Sequence, residues 1–188
     1  MSFFDTEEGV EEYVKIAEGY DGSDLIIELR NFLKDGASVL EIGMGPGKDL
    51  DMLNKYYRVT GTDTSKIFIN RYKKMNPNAD VFLLDAKKLN INRKFDCIYS
   101  NKVLQHITKK ECFKSLKKQK NLLNKKGILL HSFWYGNKTE DYDGLLFVRY
   151  KINELKKKKV KEDYNILKTY RYKEFKKDDS FYMILQKK

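Results

Sequence analysis

Residues 38–53 constrain the fold more than any other stretch of the chain. Ser38-Val39-Leu40-Glu41-Ile42 is a short apolar run, Gly43-Met44-Gly45-Pro46-Gly47 follows at once, and Pro46 opens a segment with Leu50 and Leu53 on one helical face. A strand that enters a helix through glycines lets the backbone pass close to a ligand and leaves amides free at a helix N-terminus. The flanking residues narrow the ligand class. A dinucleotide-binding turn places a third glycine one position later, where this chain has Lys48. A phosphate-binding loop needs Gly-Lys-Ser/Thr, whereas Lys48 is followed by Asp49. An acid-flanked loop of this kind suits a ligand with positive charge better than a pyrophosphate.

The rest of the chain continues the alternation of strand and helix. Val10, Tyr13, Val14 and Ala17 fall on one helical face, and a second helix reads from Ser23 as N-cap, with Leu25, Ile26, Leu29, Phe32 and Leu33 inward and Gly36 as the stop. Strands are predicted at 57–61, 81–84, 95–99 and 127–133. Thr64 or Ser65 caps a helix carrying Phe68, Tyr72 and Met75, and Thr108 with Glu111 makes a capping box for a long helix ending at Gly127. This order predicts an α/β fold, a doubly wound, mostly parallel sheet with helices on both faces. After a helix around 151–159, residues 164–175 and 180–186 are strand-like, and the four residues between them are too few for a crossover helix. The sheet therefore ends in an antiparallel hairpin. At 188 residues we expect a single domain over 1–188: a helical lid at 1–35, a cofactor-binding core at 36–135, and the C-terminal helix and hairpin at 136–188.

Composition excludes more than it selects. No apolar run approaches the ~18–20 residues of a membrane span, and Met1-Ser2-Phe3-Phe4-Asp5 leads into acids rather than a signal sequence. Cys97 and Cys112 form neither a disulfide framework nor a metal-ligand set and are expected as buried free thiols; the expected compartment is the cytoplasm and the expected metal content none. The net charge of +11 suggests nucleic acid, yet 32 of the 38 basic residues are lysine and six are arginine, the side chain that groove and phosphate readers use for its planar fork. Residues 1–35 carry −7 and the remainder +18. Nucleic-acid binding is possible and not favoured.

Further acids stand where strands end. Asp63, twenty residues after Gly43 in Gly61-Thr62-Asp63-Thr64-Ser65, can accept both hydroxyls of a ribose; alone it would equally serve as a helix N-cap. Asp85 in Leu83-Leu84-Asp85-Ala86 could accept from an adenine amino group, and the next strand ends in Tyr99-Ser100-Asn101. Four strand ends on one edge are where open α/β sheets bind ligands.

In these motifs the chain resembles the class I, Rossmann-like S-adenosylmethionine-dependent methyltransferases. Val39 to Gly47 resembles their motif I, Asp63 the acid of motif II, Asp85-Ala86 the adenine site, and Phe95 to Asn101 motif IV; Leu104-Gln105-His106-Ile107 and Lys126 to Leu130 resemble blocks of the small-molecule branch. The likeness is strong over about 20–135 and topological in the tail. It implies a seven-stranded sheet of order 3-2-1-4-5-7-6 with S-adenosylmethionine as cofactor and S-adenosylhomocysteine as product. It further implies that Gly43, Gly45 and Gly47 line the methionine moiety, Asp63 holds the ribose, Asp85 and Ala86 flank the adenine and Ser100 or Asn101 lies beside the methyl donor, with Glu41, Met44 and Thr64 in the same cofactor site. Motif IV lacks the Pro-Pro-aromatic tetrad of enzymes acting on exocyclic or amide nitrogens, and Cys97 lies within a strand rather than in a pocket loop.

The expected activity is methyl transfer to an acceptor, a small molecule first; an RNA or protein methyltransferase, or a non-catalytic adenosyl-ligand-binding subunit, is the alternative. Transfer from a sulfonium needs positioning and desolvation, and a base where the acceptor is protonated. His106 is the candidate base, with a packed histidine beside Leu104 and Ile107 as its other reading. His131, inside a strand, reads as a core histidine. Tyr13, Tyr20 and Tyr99 are candidate binding groups, and Phe133-Trp134-Tyr135-Gly136 a candidate pocket wall. Acceptor identity and oligomeric state are not legible in the sequence.

Overall fold

The computed structural model describes residues 3–142 and 144–188. In chain order its strands are β1 (Ser38–Ile42), β2 (Arg58–Asp63), β3 (Val81–Leu83), β4 (Phe95–Asn101), β5 (Leu123–Trp134), β6 (Thr139–Tyr142), β7 (Leu145–Val148), β8 (Tyr164–Tyr172) and β9 (Ser180–Lys187). The helices are α1 (Glu7–Ile16), α2 (Ser23–Leu29), α3 (Lys48–Leu53), α4 (Lys66–Met75), α5 (Lys109–Leu122), α6 (Ile152–Leu155) and α7 (Lys158–Asp163). Seven strands form one sheet in the order β3-β2-β1-β4-β5-β9-β8, and β6 and β7 form a separate antiparallel pair. β1 to β5 run parallel; β9 pairs antiparallel with both β5 and β8. The expected doubly wound sheet with a terminal hairpin is present. Its order is the expected one with the β6–β7 pair set apart, so that the last two strands are the ninth and eighth of the chain.

The central strands are buried along nearly their whole length because both faces are covered. One face packs Leu40, Ile42, Ile98 and Leu129 under α5, and the other packs Val39, Cys97, Leu130 and Ile184 under α2 and α3. Cys97 and Cys112 are buried free thiols, and burial pushes the Cys112 thiol up to about 12. Ser65 caps α4 by accepting from the Phe68 amide, and the Thr108–Glu111 capping box is formed.

Several boundaries differ from expectation. α2 ends at Leu29, and its N-cap is Gly22 rather than Ser23. α5 ends at Leu122, because Leu123 already pairs with Phe95; the register then shifts before Cys97 meets Ile128, and Lys126 takes a left-handed φ of 60° within the irregular stretch. The expected helix at 151–159 is two short helices, α6 and α7. The β6–β7 hairpin was not expected at all. No helix among the described residues is long and apolar enough to cross a membrane.

Candidate functional site

The site is built on the carboxyl ends of β1, β2 and β4. The chain leaves β1 at Ile42 and is tied to the neighbouring strand at once, the Gly43 and Met44 amides both donating to the Thr62 carbonyl at 2.7 and 2.9 Å. Gly43 has φ 71°, and a Cβ there would run into Val103, so both conformation and space require glycine. The Gly45 amide donates to Asp63 Oδ2 at 2.9 Å and the Ser65 amide to Asp63 Oδ1 at 2.8 Å. Each oxygen of this buried carboxylate is thus pinned by a backbone amide. Burial pushes its pKa up while the amides pull it down, with burial prevailing.

Two adjoining cavities open over this loop. The smaller, about 300 Å³, is lined among others by Gly43, Gly45, Asp63, Thr64, Asp85 and Ala86. The larger, about 490 Å³, takes in Glu41, Gly43, Met44 and Gly45 from the loop and Trp134 from β5. Gly43, Gly45, Tyr13, Asn101, Lys102, His106 and Leu145 border both. The geometry therefore brings together nine of the cofactor-site residues read from the sequence.

Two others stand apart. Gly47 borders neither cavity: at φ 93° it begins α3 with Tyr72 packed where a Cβ would be, so its glycine answers to packing. Ser100 is fully buried, its hydroxyl 2.8 Å from His131 Nδ1, and it also borders neither cavity. His131 Nε2 lies 2.7 Å from Gln119 Oε1, which fixes the tautomer: Nε2–H donates to the amide oxygen and Nδ1 accepts from Ser100. Burial drives the His131 pKa down to about 3, a neutral core histidine as the sequence suggested. Tyr99 is likewise no binding group. Its hydroxyl donates to Asp49 Oδ2 at 2.6 Å inside the core.

Asp49 is the hub that sequence reasoning missed. Besides Tyr99 it accepts from the Gly22 amide at 2.8 Å and from Asn101 Nδ2 at 3.2 Å, partners remote in the chain. Asn101 is held from its other side by the Ser132 hydroxyl at 2.6 Å. Glu41 lies close to this cluster. Its Oε2 is buried without a hydrogen-bond partner, and burial, then the charges of Asp49, Asp63 and Asp51, raise its pKa well above the carboxylate range. Lys102, with a left-handed φ of 58°, sends its ammonium between Glu174 (2.5 Å) and Ser180 (2.6 Å) and over the Trp134 ring at 3.9 Å.

His106 follows β4 in a short 3₁₀ turn, Leu104–His106. Its Nδ1 is 2.8 Å from the Leu146 carbonyl in β7, so Nδ1–H donates there and Nε2 keeps its lone pair. Burial lowers its pKa below the usual imidazole value, only partly offset by that bond. Phe147 meets the ring edge-on at 4.8 Å. The β6–β7 hairpin thus supplies both the wall and the orienting carbonyl. Its one sequence signal is Asp143-Gly144, the dipeptide of a two-residue hairpin turn, between Tyr142 and Leu145, which pair. Asp143 lies outside the described residues. α1 borders both cavities through Tyr13, whereas α2 buries Leu25, Ile26 and Leu29 in the core. Among the described residues no His/Cys/Asp/Glu group could hold a metal.

Residues 39–127 match the model of the family described as "Methyltransferase domain". The matched stretch is thus similar to a methyltransferase domain, and the chain has the class I, Rossmann-like methyltransferase fold. Solved structures with this fold cover almost all of the chain. A TehB-like S-adenosylmethionine-dependent methyltransferase from Corynebacterium glutamicum is 20% identical with a TM-score of 0.75, over 97% of this chain and 100% of that one. The N-methyltransferase NodS from Bradyrhizobium japonicum, in complex with S-adenosylhomocysteine, is 14% identical with a TM-score of 0.72, over 97% and 98%. The 1,6-didemethyltoxoflavin-N1-methyltransferase from Burkholderia thailandensis, with bound 1,6-didemethyltoxoflavin and S-adenosylhomocysteine, is 18% identical with a TM-score of 0.73, over 96% and 88%. No curated protein matches the chain by sequence. At these identities the structural likeness establishes the fold.

Proposed function

We propose that this chain transfers the methyl group of S-adenosylmethionine to a small-molecule acceptor, with His106 as general base. The cofactor is S-adenosylmethionine, and two of the neighbours above hold its demethylated product. The residues fit that group. It carries an ammonium and a sulfonium, and the loop end of the larger cavity offers Glu41 with an unpartnered buried oxygen and a pKa raised by burial and by the charges of Asp49, Asp63 and Asp51. In this reading Glu41, Gly43, Met44 and Gly45 hold the methionine end, Asp63 and Thr64 the ribose, and Asp85 and Ala86 the adenine. Asn101, clamped by Asp49 and Ser132, borders the transfer point.

The observation that carries the proposal is the place of His106. It stands in the wall common to both cavities, its Nδ1–H bound to a carbonyl and its Nε2 lone pair met only by the Gln105 amide nitrogen at 3.5 Å, a long contact that a stronger proton donor displaces. The donor supplies a methyl group on a good leaving group. The protein's part is then to hold both partners in line, exclude water and take one proton. A small acceptor suits a cavity of about 490 Å³, and one neighbour holds such a heterocycle in its structure.

Titration calorimetry tests the reading. S-adenosylmethionine and S-adenosylhomocysteine should bind with dissociation constants on the order of micromolar and raise the melting temperature. No heat with either, while NAD or ATP binds, would sink it.

A further inference from the structure

The larger cavity contrasts with the chain that contains it. The protein carries +11, yet Glu12 and Asp21 stand at the cavity's outer edge with Lys48 as the nearby cation, and Lys48 is turned to the Ala17 carbonyl at 3.1 Å. Lys102 adds no free charge, being paired with Glu174. Asp49, nearer the loop, only deepens the negative field. Four large apolar side chains are exposed at this same cavity: Ile16 (64%), Tyr142 (58%), Phe175 (50%) and Tyr20 (41%). Exposed apolar groups gathered at the rim of a cavity mark a surface made to be covered. Inside, Trp134 stacks on Phe175 at 5.4 Å and Phe147 closes on His106.

Resting on the assignment of this cavity to the acceptor, we propose that the acceptor is a lipophilic amine, an ammonium-bearing molecule with an aromatic or branched apolar body. The apolar body covers Ile16, Tyr20, Tyr142 and Phe175. The acids attract the cation and repel carboxylates and phosphates, whose charge the field makes costly to bring in. His106 then has a defined task. Its Nε2 takes a proton from the ammonium, and the freed nitrogen lone pair forms the new bond to the methyl carbon. The electron pair of the breaking carbon–sulfur bond stays on sulfur, leaving a neutral thioether and a methylated ammonium, and His106 returns its proton to solvent. No oxidant or further reactant is required.

Trp134 is the chain's one tryptophan and borders this cavity, so its fluorescence reports occupancy. The test titrates three probes of equal body and different head, phenethylamine, 2-phenylethanol and phenylacetate, into the protein saturated with S-adenosylhomocysteine. The amine should bind about tenfold tighter than the carboxylate, the alcohol falling between, and the gap should narrow as salt rises. In the Glu12→Gln/Asp21→Asn double variant the preference should shrink to within about twofold, since each exposed charge contributes modestly, with S-adenosylhomocysteine still binding. Equal affinities, a preference for phenylacetate, no saturable change with any probe, or a preference untouched in the double variant would each overturn the proposal. Calorimetry with S-adenosylhomocysteine, run before any probe is added, reads the donor assignment separately: failure there overturns the methyl-transfer reading itself.

Discussion

The two cavities share a boundary but are made of different material. On the proposed assignment the donor side is strand ends: Glu41, Asp63 and Asn101 stand at the carboxyl edges of three adjacent parallel strands, and backbone amides lock Asp63. The proposed acceptor side draws on α1, the 3₁₀ turn holding His106, the β6–β7 hairpin and the β8–β9 connection, segments outside the seven-stranded sheet. A rigid edge preserves one ligand geometry while the connecting segments vary. If the proposed assignment holds, the difference places specificity: the sheet reads the donor, and the segments draped over it read the acceptor.

Removing the base should produce the largest separation of the two sides. His106→Gln should lower turnover by ~10²–10⁴-fold while donor affinity stays within about threefold. Turnover per folded molecule, measured with melting temperature and donor affinity on the same sample, checks it; normal turnover would erase the distinction. Because burial lowers the His106 pKa, its neutral form persists below the usual imidazole range. The wild-type transfer rate should therefore show no His106-dependent fall around pH 7 and fall only below about pH 6.5, a limb that the variant lacks.

On the donor side, Asp63→Asn should weaken S-adenosylhomocysteine binding by about 1.5–3 kcal/mol, since an amide cannot accept from both the Gly45 and Ser65 amides and still serve a ribose. An unchanged dissociation constant in a folded variant would take this acid out of the site. A smaller effect with two signs is expected at Glu41. Glu41→Gln should stabilise the ligand-free protein by about 1 kcal/mol at neutral pH, because a carboxyl with a raised pKa contributes less stability as pH climbs through that value. The same change should weaken donor binding. Thermal melts with and without ligand would show the curves crossing. Smallest of all, Tyr142→Ala removes an exposed ring from the rim of the larger cavity alone and should raise the acceptor's KM a few-fold, with donor affinity by calorimetry unmoved.

Legibility in the sequence follows the same division. The donor edge could be read because its signals are local: glycines between a strand and a helix, and acids at the next strand ends. Gly47 and Ser100 fall outside the cavity linings because a motif gives the spacing of residues and not which way each one faces; in a strand, neighbours point to opposite faces, so Asn101 meets the cavity while Ser100 meets His131. Asp49 drew notice only as the residue that broke a phosphate-loop pattern. Its partners Gly22, Tyr99 and Asn101 come from segments that fold together and carry no joint signature. Lys102 was invisible among 32 lysines. The hairpin had its Asp-Gly cue, overlooked between an aromatic run and a lysine-rich helix.

α1 has a kinetic consequence. It lies along the donor cavity with Tyr13 against Phe4 and Phe68, at ring separations of 5.2 and 5.9 Å, and its outer fastenings are exposed. Arg71 meets Glu7 and Glu11 on one side, and Lys48 reaches the Ala17 carbonyl at the far end. Ion pairs open to water loosen as ionic strength rises, while the aromatic contacts do not. On the proposed donor site, the residence time of the spent nucleoside should follow this strap rather than the chemistry beneath it, and salt that leaves the transfer step untouched should shorten the wait between turnovers.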